Sequence, residues 1–211
     1  MKGELFMTLF ELEKNLDVKF PKRFHEIYET GAMEWLEVEN KKFDENREYY
    51  LNDPKAFLML YCDSEPALFE DISDLVENIN EMLAWRKDDL NQELDEKYRL
   101  IPFANNGGGD FYCFLYENSS DEPKVIIYFH DCYDNPEIIG KNFDEFLYVE
   151  MLSVVAYAVE DDDYKELEGE QWKNNLDYLL PEYKNMITGK TTEELVDIYE
   201  SFIFEEAEIW K

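Results

Sequence analysis

Only two histidines, His25 and His130, occur among the 211 residues, and that limits the chemistry at once. Nucleophilic catalysis needs a base aimed at a Ser, Cys or Thr. No Gly-x-Ser-x-Gly, His-Glu-x-x-His or Cys-x-x-Cys is present to supply a familiar arrangement. His130 stands beside Asp131 and two residues before Cys132, a grouping from which a metal site can be imagined. A histidine at a strand end with exposed neighbours reads more simply as structural, so neither a metal nor a cofactor is expected. His25, between Phe24 and Glu26 in a helical pattern, reads as a partly buried structural histidine. Pairs of carboxylates say little about acid–base or glycosidase chemistry, because 51 Asp and Glu residues guarantee such pairs. The run Asp161, Asp162, Asp163 lacks the glycine and terminal glutamate of an EF-hand loop and reads as a solvated loop. The expectation is a protein with no catalytic residues.

The stretch Leu100 to Tyr116, LIPFANNGGGDFYCFLY, poses a sharper question. A phosphate-cradling loop leads into a helix N-terminus, where backbone N–H groups and the helix dipole converge on the anion. Here Gly107, Gly108 and Gly109 lead into Asp110 and then a strand pattern, without the Lys and Ser/Thr of a P-loop. Asp110 would repel a phosphate. The glycines read instead as a tight connection between two strands, supplying backbone angles closed to other residues.

Charge restricts partners. With 51 acids against 20 Lys and Arg the formal net charge is −31, which disfavours direct contact with nucleic acid or anionic lipid and attracts a basic partner. Cys62, Cys113 and Cys132 are odd in number and set among bulky apolar residues, as reduced core cysteines of a cytoplasmic protein would be. The first residues carry Glu4, Glu11 and Glu13 where a targeting peptide is apolar or basic, and no apolar run reaches membrane-span length.

The elements that must position these residues follow from periodicity. Leu5, Leu9, Leu12 and Leu16 mark a first helix, and Pro21, Phe24, Ile27 and Tyr28 a second with Gly31 as its C-cap. Strands are expected through Trp35 to Val38 and Ala56 to Cys62. A long helix, capped by Asp71 or Ser73, is expected from Ile72 to near Tyr98. Leu100 to Phe103, Phe111 to Tyr116 and Lys124 to His130 read as consecutive antiparallel strands. Their apolar residues occupy both alternation classes, so the sheet is covered on both faces or along an edge. Asn142 to Glu145 forms a capping box before a helix through Phe146, Leu147, Met151 and Ala158. A helical pattern then runs through Trp172, Leu176, Leu179 and Leu180. A last helix opens with the box Thr191 to Glu194 and continues through Phe202, Ile209 and Trp210. Helices, strands, helices in that order argue an α+β domain over 1–158, with a helical C-terminal extension over 159–211 packed on it.

An ordered set of motifs adds to this reading. FPKRFHEIYETG, IPFANNGGGDFYCF, VIIYFHD and NFDEFL resemble the SUKH superfamily, which comprises fungal cell-wall-assembly regulators and bacterial toxin-immunity proteins. The resemblance rests on Pro21, Phe24 and Gly31 around the second helix, although its end reads Thr30-Gly31-Ala32 where the family often has an Asn-Gly-Gly-like turn. It rests also on Ile101, Pro102, Phe103, Gly107, Gly108, Gly109 and Asp110 at the strand and its turn, and on Phe146 in the later helix. It implies an antiparallel sheet flanked by helices. It also implies a bacterial immunity protein that neutralises a cognate toxin, and the charge independently suggests a toxin with a basic active site, a nuclease being the expected type. The alternative it implies is a non-catalytic regulatory scaffold in signalling or cell-wall assembly. The acids expected to meet a partner are Asp110, Asp131, Asp134 and Glu137 near the sheet ends, with Glu160, Asp161, Asp162 and Asp163 before the extension. The chain is expected as a monomer or a homodimer.

Overall fold

The computed structural model describes residues 8–29, 68–69, 72–106, 108–118, 120, 122–131, 134–160 and 176–211. The first helix, α1 (Leu9–Leu16), opens at Thr8, whose hydroxyl accepts from the Glu11 N–H at 3.3 Å while the Glu11 carboxylate accepts from the Thr8 N–H at 2.9 Å. This reciprocal cap satisfies two of the helix's orphan donors. Helix α2 (Lys22–Glu29) follows Pro21, whose fixed φ and missing N–H suit a helix start. Both helices turn apolar faces inward, burying Leu9, Leu12, Phe24 and Ile27, and Phe20 is buried in the connection between them.

Among the described residues, six antiparallel strands form one sheet in chain order: β1 (Leu68–Phe69), β2 (Tyr98–Asn105), β3 (Phe111–Glu117), β4 (Lys124–Tyr128), β5 (Glu137–Gly140) and β6 (Glu205–Glu206). In β2, Pro102 pairs with Cys113 but the next partner pair is Ala104 with Tyr112, leaving Phe103 as the extra residue of a bulge. A proline cannot donate to a ladder, so inside a sheet it belongs at such an irregularity. The bulge turns Phe103 and Ala104 towards the same core.

Side chains of β3 alternate strictly. Tyr112, Phe114 and Tyr116 enter one core with α1, α2 and the later helices, while Phe111, Cys113 and Leu115 enter a second core. The two alternation classes therefore mark two covered faces. On the first, Phe24 lies edge-on to Phe103, Phe114 and Phe143 at centroid distances of 5.8, 5.2 and 5.2 Å. The second is covered by α3 (Ile72–Trp85), through Leu75 and Ile79, and by Ala207 and Ile209 of the C-terminal segment. Cys113 is a free thiol, and complete burial pushes its pKa well up.

Helix α4 (Phe143–Glu160) follows β5 so closely that a Cβ on Gly140 would stand 2.7 Å from the Phe146 nitrogen and 2.8 Å from the Asn142 carbonyl. Only glycine fits there. Asn142 caps the helix as expected, accepting from the Glu145 N–H at 2.9 Å, but the Glu145 carboxylate reaches the Lys141 N–H at 2.6 Å, one residue before the expected box.

Three expected helices take different bounds. The long helix ends at Trp85 and passes through a π-helical turn, Arg86–Leu90, to Asn91 in the left-handed region. Leu94 then bridges to Trp210, and Tyr98 already belongs to β2, so the expected end near Tyr98 is corrected. The pattern through Leu180 resolves into a short 3-10 turn, Leu176–Tyr178, and a separate helix, α5 (Pro181–Ile187), because Pro181 begins a helix and cannot continue one. The last helix, α6 (Thr192–Glu200), has the expected Thr191–Glu194 box but stops at Glu200. Ile209 and Trp210 lie in an extended segment in which Ala207 and Ile209 are buried and Glu206 and Glu208 exposed, an alternation of period two. The strands expected at Trp35 to Val38 and Ala56 to Cys62 lie outside the described residues, as do Gly31, Gly107, Trp172, Cys62 and Cys132.

Phe114 is fully buried and touches Phe20, Phe24, Phe103 and Phe143. Replacing it by alanine is expected to remove about 3–5 kcal/mol of stability, as buried phenylalanines generally do. Urea unfolding would measure this, and a loss below about 1 kcal/mol would mean that the aromatic cluster does not hold the first face together.

Candidate functional site

The turn between β2 and β3 is closed by Asn106 and Asp110, whose side chains bond each other while that of Asn106 also bonds the Asp110 backbone. The Asp110 N–H donates to Asn106 Oδ1 at 2.8 Å, and Asn106 Nδ2 donates to Asp110 Oδ2 at 2.9 Å. The Asn106 N–H also donates to the Asp110 carbonyl at 3.0 Å, and the Gly109 N–H to the Asn106 carbonyl at 3.1 Å. Gly109 has φ +98, with the His130 ring 3.5 Å from where a Cβ would sit, so both backbone angle and space favour glycine.

From this turn Asp110 reaches the end of β4. Its Oδ1 accepts from the His130 N–H at 3.0 Å and lies 2.8 Å from the ring Nδ1. Burial alone would raise the Asp110 pKa, but the bonds from the His130 N–H, the ring and Asn106 outweigh it and hold the carboxyl below its usual range. The group is a clasp between a hairpin turn and a strand end twenty residues on. Asp131 completes a trio with Asp110 and His130 whose donor atoms lie within 4.8 Å of one another, a spacing that could hold a metal ion. Such an ion would compete with the hydrogen bonds that already occupy both Asp110 oxygens.

The opposite end of the sheet carries a groove of about 500 Å³, bounded by the β3–β4 hairpin and the segment Glu205 to Glu208. Tyr98, Leu115, Ile138 and Ala207 supply apolar lining, and Glu117, Glu122, Glu205, Glu206 and Glu208 surround them. Across β5 and β6, Glu137 stands directly opposite Glu206. Partial burial, and then the Glu206 charge, raise the Glu137 pKa.

The motif strand, its glycine turn and the clasp now have a place in a known family, because residues 8–148 match the SMI1 / KNR4 family (SUKH-1). The chain belongs to that family. SUKH proteins include toxin-immunity proteins and regulators. No curated protein and no solved structure matches the chain.

Among the described residues, the SUKH motif positions lie in the core and at the turn. Phe24, Phe103 and Phe146 are buried in the aromatic cluster, Pro102 sits at the bulge, and Gly108, Gly109 and Asp110 form the clasped turn. Among the acids expected to meet a partner, Asp110 and Asp131 come together beside His130, whereas Glu137 faces Glu206 across the ladder. Asp134 is exposed, Glu160 is the last residue of α4, and Asp161, Asp162 and Asp163 lie outside the described residues. The acids of the groove went unread in the sequence. Their one signal is the alternation Glu206, Ala207, Glu208, Ile209, which marks a strand face.

Two outcomes test this geometry. Asp110→Ala is expected to cost about 1–3 kcal/mol at neutral pH, since it strands the buried Asn106 amide and frees the β4 end. Because the folded-state pKa of Asp110 lies below its unfolded value, its stabilisation is complete above about pH 4 and fades as pH falls through the folded pKa. Denaturant curves of wild type and variant should therefore converge in acid, and a gap that stays constant down to the acid limit would refute the clasp. Glu137→Gln should instead stabilise by roughly 0.2–1 kcal/mol by removing a like charge opposite Glu206, and destabilisation in the same assay would contradict the repulsion.

Proposed function

We propose that this SUKH protein is a non-catalytic immunity protein that binds a cognate toxin and holds substrate out of its basic active site, a nuclease being the toxin class whose surface suits it best. The observation that carries the reading is the net charge of −31 on a folded member of a family that includes toxin-immunity proteins. A nuclease presents cations where phosphates bind, and an acidic protein is drawn to that surface. Opposite charges steer encounter and can raise association rates by roughly 10 to 1,000-fold, which serves a protein that must capture its toxin early. The clasp around Asp110 supports an inert role, because its carboxylate spends both oxygens on internal bonds. No helix among the described residues is long and apolar enough to cross a membrane.

The family's regulators support a second reading, a scaffold for signalling or cell-wall assembly. Salt separates the two. Binding to a basic toxin should slow by about tenfold or more between low salt and 0.5 M, where screening shortens the reach of charge to a few ångströms. Co-expression with the toxin domain encoded beside the gene, followed by co-purification and a killing assay, tests the proposal directly. Equal killing with and without the protein would remove the immunity reading for that pair, and salt-independent binding to several partners of ordinary charge would favour the scaffold.

A further inference from the structure

We propose that the groove between the β3–β4 hairpin and the C-terminal segment is a docking surface for an extended, Lys- or Arg-bearing segment of a partner protein. The inference rests on the partner-binding reading above and gives it a place and a chemistry.

The argument begins with how the second face of the sheet is covered. Helix α3 shields β2, and the C-terminal segment crosses back from β6, with the Ala207 N–H bonding the Pro136 carbonyl at 2.7 Å and the Lys211 N–H the Glu93 carbonyl at 2.9 Å. Neither element covers the end of the sheet where β3 runs into its hairpin. Leu115 and Ala207 are buried at the bottom of the opening, and Tyr98 and Ile138 are half-buried beside them. Tyr98 and Ile138 are the part of this floor that a partner side chain can still dehydrate.

The rim decides which partner. Glu117, Glu122, Glu205, Glu206 and Glu208 are all exposed, and none makes an ion pair among the described residues. Lys124 is the one cation among the described lining residues. Elsewhere on this protein cations do pair closely, as Lys22 does with Glu26 and Lys211 with Glu96, whereas Lys97 acts on Glu117 of the rim without forming an ion pair with it.

Floor and rim together select the occupant. Lysine and arginine lay aliphatic stems on apolar surface while their charged heads reach outward, which fits an apolar floor inside a ring of carboxylates. An extended segment with apolar and basic residues in alternation presents one face to each. A bare divalent cation would use the rim and leave the floor wet, and an anionic ligand would be repelled.

The test uses the full chain and a short capped peptide alternating Lys and Val. In the groove variant Glu117→Gln, Glu205→Gln and Glu208→Gln are combined, sparing Glu206 because it accepts from Asn135 at 3.0 Å. The control removes the same charge from the far helices with Glu182→Gln, Asp197→Asn and Glu200→Gln, all at exposed positions. All substituted groove positions are exposed, and thermal unfolding verifies that each variant folds. Peptide affinity by fluorescence anisotropy is expected to fall roughly tenfold in the groove variant and less than about twofold in the control. Methyl NMR of the wild-type complex is expected to move the Leu115, Ile138 and Ala207 signals. Equal weakening in both variants, or methyl shifts confined to other sites, would overturn the proposal by reducing the attraction to net charge. The peptide assay needs no toxin, so its failure and the failure of the immunity reading are separately visible.

Discussion

A strand buried on both faces is the constraint from which the rest of this structure follows. Every residue from Phe111 to Tyr116 is buried, and a strand with two apolar faces must find cover on each side. One layer is supplied by α1, α2 and the helices that follow β5, with Phe24 and Phe143 closing on Phe114. For the other, α3 is joined by the last residues of the chain, which add β6 to the sheet and lay Ala207 and Ile209 on its second face. The C-terminal segment thus completes a core begun a hundred residues earlier. The groove exists because this second cover stops short of one sheet end.

The same architecture places scarce cations at its joints. Arg86 is 1% exposed and lies over the rings of Tyr128 and Trp210 at 5.1 and 4.8 Å, while its Nη1 donates to Gln92 Oε1. Burying a guanidinium is tolerable when aromatic faces and a hydrogen bond replace water, and here it ties the π-helical turn to the C-terminal segment. Arg99 donates to the carbonyls of Leu16 and Asp17, which are unpaired helix-end acceptors at the negative end of the α1 dipole. Arg23 bonds the Tyr178 carbonyl and meets Asp144 at 3.4 Å, joining α2 to the later helices. These three cations act as fasteners between segments distant in sequence, and the surface is left more negative for it.

Much of this was legible in the sequence wherever a pattern was local. Aromatic and β-branched runs located β2, β3 and β4, their two alternation classes pointed to cover on both faces or along an edge, and the glycines before Asp110 marked a turn between strands. What the chain hid were partnerships between distant residues. Nothing near Asp110 predicts that its carboxylate meets a histidine twenty residues away, and nothing near Arg86 predicts Tyr128 and Trp210. Phe202 and Ile209, seven residues apart, keep a spacing compatible with a helix, so the strand at the end of the chain was hidden until its pairing with β5 could be seen. The groove acids were hidden for another reason. Among 51 acids no single carboxylate stands out, and only the fold shows which of them ring the groove.

That distinction bears on how an acidic binding protein can be selective. At physiological ionic strength a surface charge is felt over about 8 Å, so a field of −31 draws in any cationic protein with little discrimination. Selectivity must come from contacts made after water leaves, where the fit of a side chain to Leu115, Ile138 and Ala207 counts and an unmatched charge is costly. The β3–β4 hairpin and the segment from Glu205 to Glu208 form the walls of the groove, yet their exposed residues contribute nothing to the two buried faces of β3. For the proposed partner binding, the rim can therefore change its match without disturbing the sheet. On the proposed reading, attraction belongs to the whole surface and recognition to the groove beside the β3–β4 hairpin.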